Sequence, residues 1–294
     1  MVMAAALALI PAVGAARAAS DGPPGSADAQ VVTVALAAMP LGSTLLARGD
    51  TGRQNPAGNV AGNRSSQAVV GRWTSPASRI NRVVLVGDSL AQEVTPFLQF
   101  LTPGKTFVPK FWGGTAPCDW RDVALEANRN SVVVITFTGN SLTDCMLGFD
   151  GEHLADEALV ERYRFDIGTL IDAARRAGAR VVLVGQPHRA ASFEAELEVD
   201  GINQVYRDFA TAYRFVSFVD AGRAVESPSG EFTERLPCTV FDTDCAADGT
   251  TVVRGDGVHF CPVEGENPCS VWSSGAFRFG LVIASGANNP RVFD

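Results

Sequence analysis

Arg82-Val83-Val84-Leu85-Val86-Gly87-Asp88-Ser89-Leu90 is the stretch that decides the fold. An apolar run with the look of a buried strand passes directly into a glycine, a carboxylate and a serine, and Ala91 to Leu101 then carries helical spacing. The C-terminal ends of strands in open parallel sheets are where ligands bind, because backbone N–H groups and helix N-termini are left free there. Ser89 has two readings on position alone. It is the cap of the following helix, or it is a nucleophile whose oxygen the helix dipole favours as negative charge develops.

Working outward, further apolar runs at Thr106 to Trp112, Ser131 to Phe137, Arg180 to Val184 and Arg214 to Val219 are strand candidates. Helical patterns separate them, at about Asp119 to Asn128, at Ala155 to Ala177 and at Ile202 to Tyr213, and Gly275 to Ala287 predicts a last helix. Within Ala155 to Ala177, the residues Leu159, Tyr163, Ile167, Leu170, Ile171 and Ala174 recur on one face, which is a core face. Strands alternating with helices predict an α/β domain: a three-layer α/β/α sandwich on a five-stranded parallel sheet with right-handed, flavodoxin-like crossovers.

That layout puts three polar blocks at successive strand ends. They are Ser89, the pair Gly113-Gly114 in Phe111-Trp112-Gly113-Gly114, and Asn140 in Thr138-Gly139-Asn140-Ser141. Far downstream, Arg254-Gly255-Asp256-Gly257-Val258-His259-Phe260 supplies an aspartate and a histidine three residues apart. A serine nucleophile needs a base within hydrogen-bond reach and a carboxylate that orients the imidazole, and one short loop can deliver both. Agreement of the blocks with the strand order is harder to obtain by chance than any one of them.

On these four blocks, from about Arg82 to the C-terminus, the chain resembles the SGNH, or GDSL, hydrolase superfamily. The resemblance implies that Ser89 is the nucleophile, His259 the general base and Asp256 its orienting partner. It also implies an oxyanion hole from the Ser89 N–H, a backbone N–H of Gly113 or Gly114, and the Asn140 amide. The family's third block usually reads Gly-x-Asn-Asp, whereas here glycine directly precedes Asn140 and serine follows it.

The rest of the chain falls into regions of distinct composition. Residues 1–19 are apolar and alanine-rich, with Ala16-Arg17-Ala18 as a cleavage candidate, and read as a signal peptide or an N-terminal apolar anchor. The run is short for a membrane-spanning helix, so stable insertion is expected only if this segment is retained. Residues 20–80, rich in Ala, Gly, Ser, Asn and Pro, read as a flexible arm, and residues 81–294 as the hydrolase domain.

Six cysteines sort into sequence neighbours beside the site blocks: Cys118 with Cys145, Cys238 with Cys245, and Cys261 with Cys269. Fifteen connectivities are possible, and pairing by proximity is the expectation for an exported, loop-stapled protein. No C-x-x-C pair is present, so no metal and no cofactor is expected. The net charge of -8 and the lack of a basic patch exclude nucleic acid and anionic membrane surfaces as partners.

Other residues weigh less. Asp88 reads as a turn-tying carboxylate, and His153 as solvent-facing. His188 reads first as a satisfied surface histidine and second as a pocket residue. Asp242, Asp244 and Asp248 mimic part of a calcium loop whose last ligand position holds Val253, and are rejected as a site. Trp112, Trp120 and Trp272 read as packing residues before they read as a cleft edge.

The expected function is that of a secreted or cell-envelope serine esterase acting on O-acyl groups of carbohydrate or lipid through an acyl-enzyme. The alternatives are an O-acyltransferase that delivers the acyl group to an envelope glycan, and, in another class, a silent module that binds acylated glycans. The intact serine, aspartate and histidine set argues against the last.

Overall fold

In the computed structural model, residues 80–193 and 196–289 are described, and the expected signal segment and most of the arm lie outside them. Strands β1 (Arg82–Gly87), β2 (Thr106–Phe111), β3 (Ser131–Thr136), β4 (Arg180–Val184) and β5 (Val216–Val219) form one parallel sheet in the order β2-β1-β3-β4-β5. This is the flavodoxin-like order that the sequence predicts. Gly87 is level with Phe111 on one side and Thr136 on the other, so three chain segments leave the sheet at one height.

Both faces of the sheet are covered, which explains why its strands read as continuous apolar runs. Val84, Val86, Val133 and Ile135 point into a core shared with α2 (Asp156–Arg176) and α3 (Glu196–Ala212). Their neighbours Val83, Leu85, Val132 and Val134 point the other way, against α1 (Ser89–Leu101) and α4 (Ser274–Asn288). Alternation of period two thus serves two cores at once. Leu85 is fully buried, and truncating such a side chain to alanine costs roughly 3 kcal/mol.

Gly87 closes β1 where no side chain fits: a Cβ there would stand 2.3 Å from the Thr136 carbonyl oxygen. The packing of α1 so close to β3 therefore depends on the glycine that precedes Asp88 and Ser89.

One predicted helix is absent. In place of a helix over Asp119 to Asn128 the chain makes a single 3-10 turn, Pro117–Trp120, and then runs irregularly to β3, with Glu126 at φ 54. Only Leu125 is buried in that stretch and Val123 is exposed, so no apolar stripe exists to hold a helix against the sheet. A short antiparallel hairpin, β6 (Arg235–Pro237) with β7 (Thr250–Val252), was not expected. It leads the chain into the loop that carries Asp256 and His259.

Candidate active site

Ser89 is the first residue of α1, and Asp88 caps the helix by accepting the Leu90 N–H at 3.1 Å. The other carboxylate oxygen of Asp88 accepts the Thr138 N–H at 2.6 Å, the Thr138 hydroxyl at 2.8 Å and the Asn140 amide at 3.1 Å. Asp88 thereby ties the β1 exit to the β3 exit and is a turn-tying group. Burial pushes its carboxyl above the usual range, and the Thr138 and Leu90 donors pull it back.

The downstream loop reaches this point through His259. Asp256 accepts the N–H groups of Val258 at 2.9 Å and His259 at 2.6 Å on one oxygen, and its other oxygen lies 2.7 Å from His259 Nδ1. Gly257, at φ 88, supplies the left-handed residue the turn requires. His259 Nε2 lies 2.9 Å from Ser89 Oγ. Asp256 therefore holds the proton on Nδ1, which leaves Nε2 as the acceptor facing the serine hydroxyl. Burial raises the Asp256 carboxyl, but the His259 N–H, the His259 ring and the Val258 N–H outweigh it and hold the group below its ordinary value.

The three residues open onto a cleft of about 500 Å³ whose walls include Gly113, Gly114, Asn140, Leu142, Arg189 and Val263. A Cβ on Gly113 would lie 3.9 Å from Ser89 Cβ, so the peptide of Gly113 is a direct neighbour of the serine. The Ser89 N–H is one of the donors that a helix start leaves without an intrahelical acceptor. Asn140 lines the cleft, yet both hydrogens of its amide have acceptors, Asp88 at 3.1 Å and the Thr115 carbonyl at 3.2 Å. Its main-chain carbonyl accepts the Tyr163 hydroxyl at 2.9 Å.

Several supporting residues escaped the sequence reading. Glu93 lies one turn beyond Ser89 on α1, buried, with one carboxylate oxygen on the Phe260 N–H at 2.7 Å and the other buried without a partner. Burial pushes Glu93 up to about 7 against the opposing pull of the Phe260 N–H and His259. Its signal was present: an acid among Leu90, Ala91, Val94 and Leu98 on the buried face. Arg254 is fully buried under the loop, donating to the His188 and Gly257 carbonyls and lying 5.6 Å from the rings of Phe232 and Phe260. Burial lowers its guanidinium to about 10, although the carboxylates of Asp256 and Glu226 oppose this. Asn267 donates to the Ser89 carbonyl at 3.3 Å from within the loop closed by Cys261 and Cys269.

The disulfides are Cys118–Cys145, Cys238–Cys245 and Cys261–Cys269, the three local pairs. The first links the segments after β2 and β3, and the third closes the loop that walls the cleft. Two groups of metal-ligating residue types occur among the described residues, and both are built on disulfide sulfurs, which offer no thiolate.

The His188 ring lies 2.8 Å from Glu226 and 3.3 Å from Asp200. Burial lowers its pKa, but these two carboxylates prevail and raise it above the ordinary value. His153 is exposed. Asp242 is engaged by the Thr239 N–H and Arg278, and Asp248 by Thr250. Trp272 packs on Phe97 and Phe277, and Trp120 donates to the Thr115 hydroxyl at 3.0 Å; neither is a cleft wall. Among the described residues no helix is long and apolar enough to cross a membrane.

The family model described as "Protein of unknown function (DUF459)" matches residues 115–267. No curated protein matches the sequence. Similar solved structures include a GDSL-like lipase from Bacteroides thetaiotaomicron, 14% identical, covering 72% of this chain and 90% of that one with a TM-score of 0.46. The C-terminal catalytic domain of peptidoglycan O-acetyltransferase A from Streptococcus pneumoniae is 17% identical, over 70% of this chain and 90% of that one, with a TM-score of 0.43. An acetylxylan esterase from Geobacillus stearothermophilus is 14% identical, over 71% and 93%, with a TM-score of 0.43.

Proposed function

We infer, for a chain that belongs to the DUF459 family of proteins of unknown function, that it is a serine esterase of SGNH type acting on carboxylic esters. The observation that carries this reading is the unbroken line Ser89 Oγ, His259 and Asp256, with steps of 2.9 and 2.7 Å, opening on a cleft.

The chemistry follows from that line. His259 Nε2 takes the Ser89 proton as Ser89 Oγ attacks the ester carbonyl, and Asp256 stabilises the imidazolium that forms. The oxyanion is met by the N–H groups of Ser89 and of Gly113 or Gly114, each such donor contributing about 3 kcal/mol in the transition state. Asn140 joins them by turning one amide hydrogen away from the Thr115 carbonyl. Collapse expels the alcohol, which takes the proton from His259, and leaves the acyl group on Ser89. Water, deprotonated by His259, then attacks the acyl-enzyme and releases the acid with Ser89 regenerated.

The proposed substrate is an O-acyl ester on carbohydrate or lipid, met outside the cytoplasm. Three disulfides support that setting, since such bonds persist in oxidising compartments. A panel of 4-nitrophenyl esters from acetyl to long-chain, with acetylated xylan and peptidoglycan, tests the reading. Hydrolysis of at least one ester by the wild type and none above background by Ser89→Ala is expected; equal rates would defeat it. Adding a glycan acceptor and weighing the product by mass spectrometry separates hydrolysis from transfer.

A further inference from the structure

Beside Ser89 and His259 the cleft holds one arginine whose position the acyl-transfer chemistry does not use. Arg189 follows β4 and lines the same cavity. The other charges there are already engaged: Asp256 by His259 and two backbone N–H groups, and Glu266 by the Ser270 N–H and hydroxyl. Arg189 donates one Nη2 hydrogen bond to the Thr138 carbonyl, its Nε is buried without a partner, and it forms no ion pair among the described residues.

The surroundings make room for this cation. Gly139 sits at φ 97, and a Cβ there would come 3.3 Å from Arg189 Nη2, so the glycine of the third block leaves the space the guanidinium occupies. The buried Asp88 carboxyl feels the Arg189 charge, yet its oxygens are taken by Leu90, Thr138 and Asn140. A half-buried guanidinium on a wall shared with Leu142, Val258 and Val263 is incompletely solvated and carries a planar fork matched to a carboxylate. Several other arginines of the domain are neutralised locally, among them Arg121 and Arg162 by Asp166, Arg164 by Asp208 and Arg278 by Asp242.

We propose that Arg189 reads a carboxylate on the substrate, so that the ester taken by this cleft is anionic. The assignment rests on the esterase reading for its choice of substrates and stands apart from it for binding. The carboxylate sits either on the acyl portion, as in a dicarboxylic half-ester, or on the alcohol portion, as in an acylated uronic acid.

The test compares kcat/KM for 4-nitrophenyl hemisuccinate against 4-nitrophenyl acetate, and for O-acetylated methyl glucuronide against O-acetylated methyl glucoside. The wild type is expected to favour the charged member of one pair about tenfold or more, with Arg189→Gln losing that ratio and Arg189→Lys keeping part of it. A preference in the first pair places the carboxylate on the acyl side, and one in the second places it on the alcohol side. No preference in either pair, or a ratio unaltered in Arg189→Gln, overturns the proposal; a purely structural arginine would lower both members alike. If no ester is cleaved, the esterase reading fails and binding decides the matter. Succinate or glucuronate titrated into Ser89→Ala, but not into Ser89→Ala with Arg189→Gln, supports the proposal, and equal or absent binding overturns it.

Discussion

Glu93 on α1 accepts the N–H of Phe260, the residue after His259, at 2.7 Å. The helix that begins with Ser89 and the loop that carries the histidine are therefore pinned to one another one turn from the Ser89 hydroxyl. A hydroxyl-to-imidazole distance of 2.9 Å across a sequence separation of 170 needs such a fixture, because a shift of about 1 Å is enough to lose most of the benefit of positioning.

The pinning carboxyl makes stability depend on pH. Glu93 moves from its usual 4.5 up to about 7 on folding, so between those values the folded chain holds a proton that the unfolded chain has lost. Stability from this group is thus full below about pH 4.5 and declines as pH rises through 7. Glu93→Gln removes that decline. Urea denaturation should show the variant gaining on the wild type between pH 5 and pH 8, by up to roughly 3 kcal/mol. A difference that is the same at both pH values would contradict the assignment.

Asp88 is the hub between β1 and β3. Asp88→Ala leaves the Leu90 and Thr138 N–H groups, the Thr138 hydroxyl and the Asn140 amide without their acceptor. Buried donors so abandoned cost about 1–3 kcal/mol each, so a loss of several kcal/mol in thermal or urea unfolding is expected, with Asp88→Asn recovering part of it. A change below about 1 kcal/mol would show that the hub is dispensable.

The disulfides should contribute unequally. Cys118–Cys145 closes 27 residues and Cys238–Cys245 closes 7, so loop entropy predicts about 3.5 kcal/mol for the first and about 2.5 for the second. Paired Cys→Ala variants, compared by equilibrium unfolding, test the order. A larger loss from the shorter loop would contradict it.

Much of this architecture was legible because the sheet is buried on both faces. Val83 to Val86 and Val132 to Ile135 had no polar face to obscure them, and the helix face of Leu159, Tyr163 and Ile167 had a clear period. The missing crossover helix failed on the same logic, since Asp119 to Asn128 offers almost nothing to bury. Of the site, the strand-end blocks and the Asp-x-x-His loop were readable as patterns, and the structure brings them together. Glu93, Arg189 and Arg254 were not, because each acts through a contact with a segment distant in sequence: Phe260, Thr138 and His188 respectively. Arg189 had a partial signal in its place directly after β4, where attention falls on His188 instead. The commitment of the Asn140 amide to Thr115 had none.

Activation of Ser89 by His259 is read out by incubating the protein with a fluorophosphonate and locating the added mass by peptide mapping. A single adduct on Ser89 is predicted, absent in Ser89→Ala and formed at least about 100-fold more slowly in His259→Ala. An unlabelled Ser89, or labelling at the same rate without His259, would show that Ser89 is not a nucleophile activated by His259.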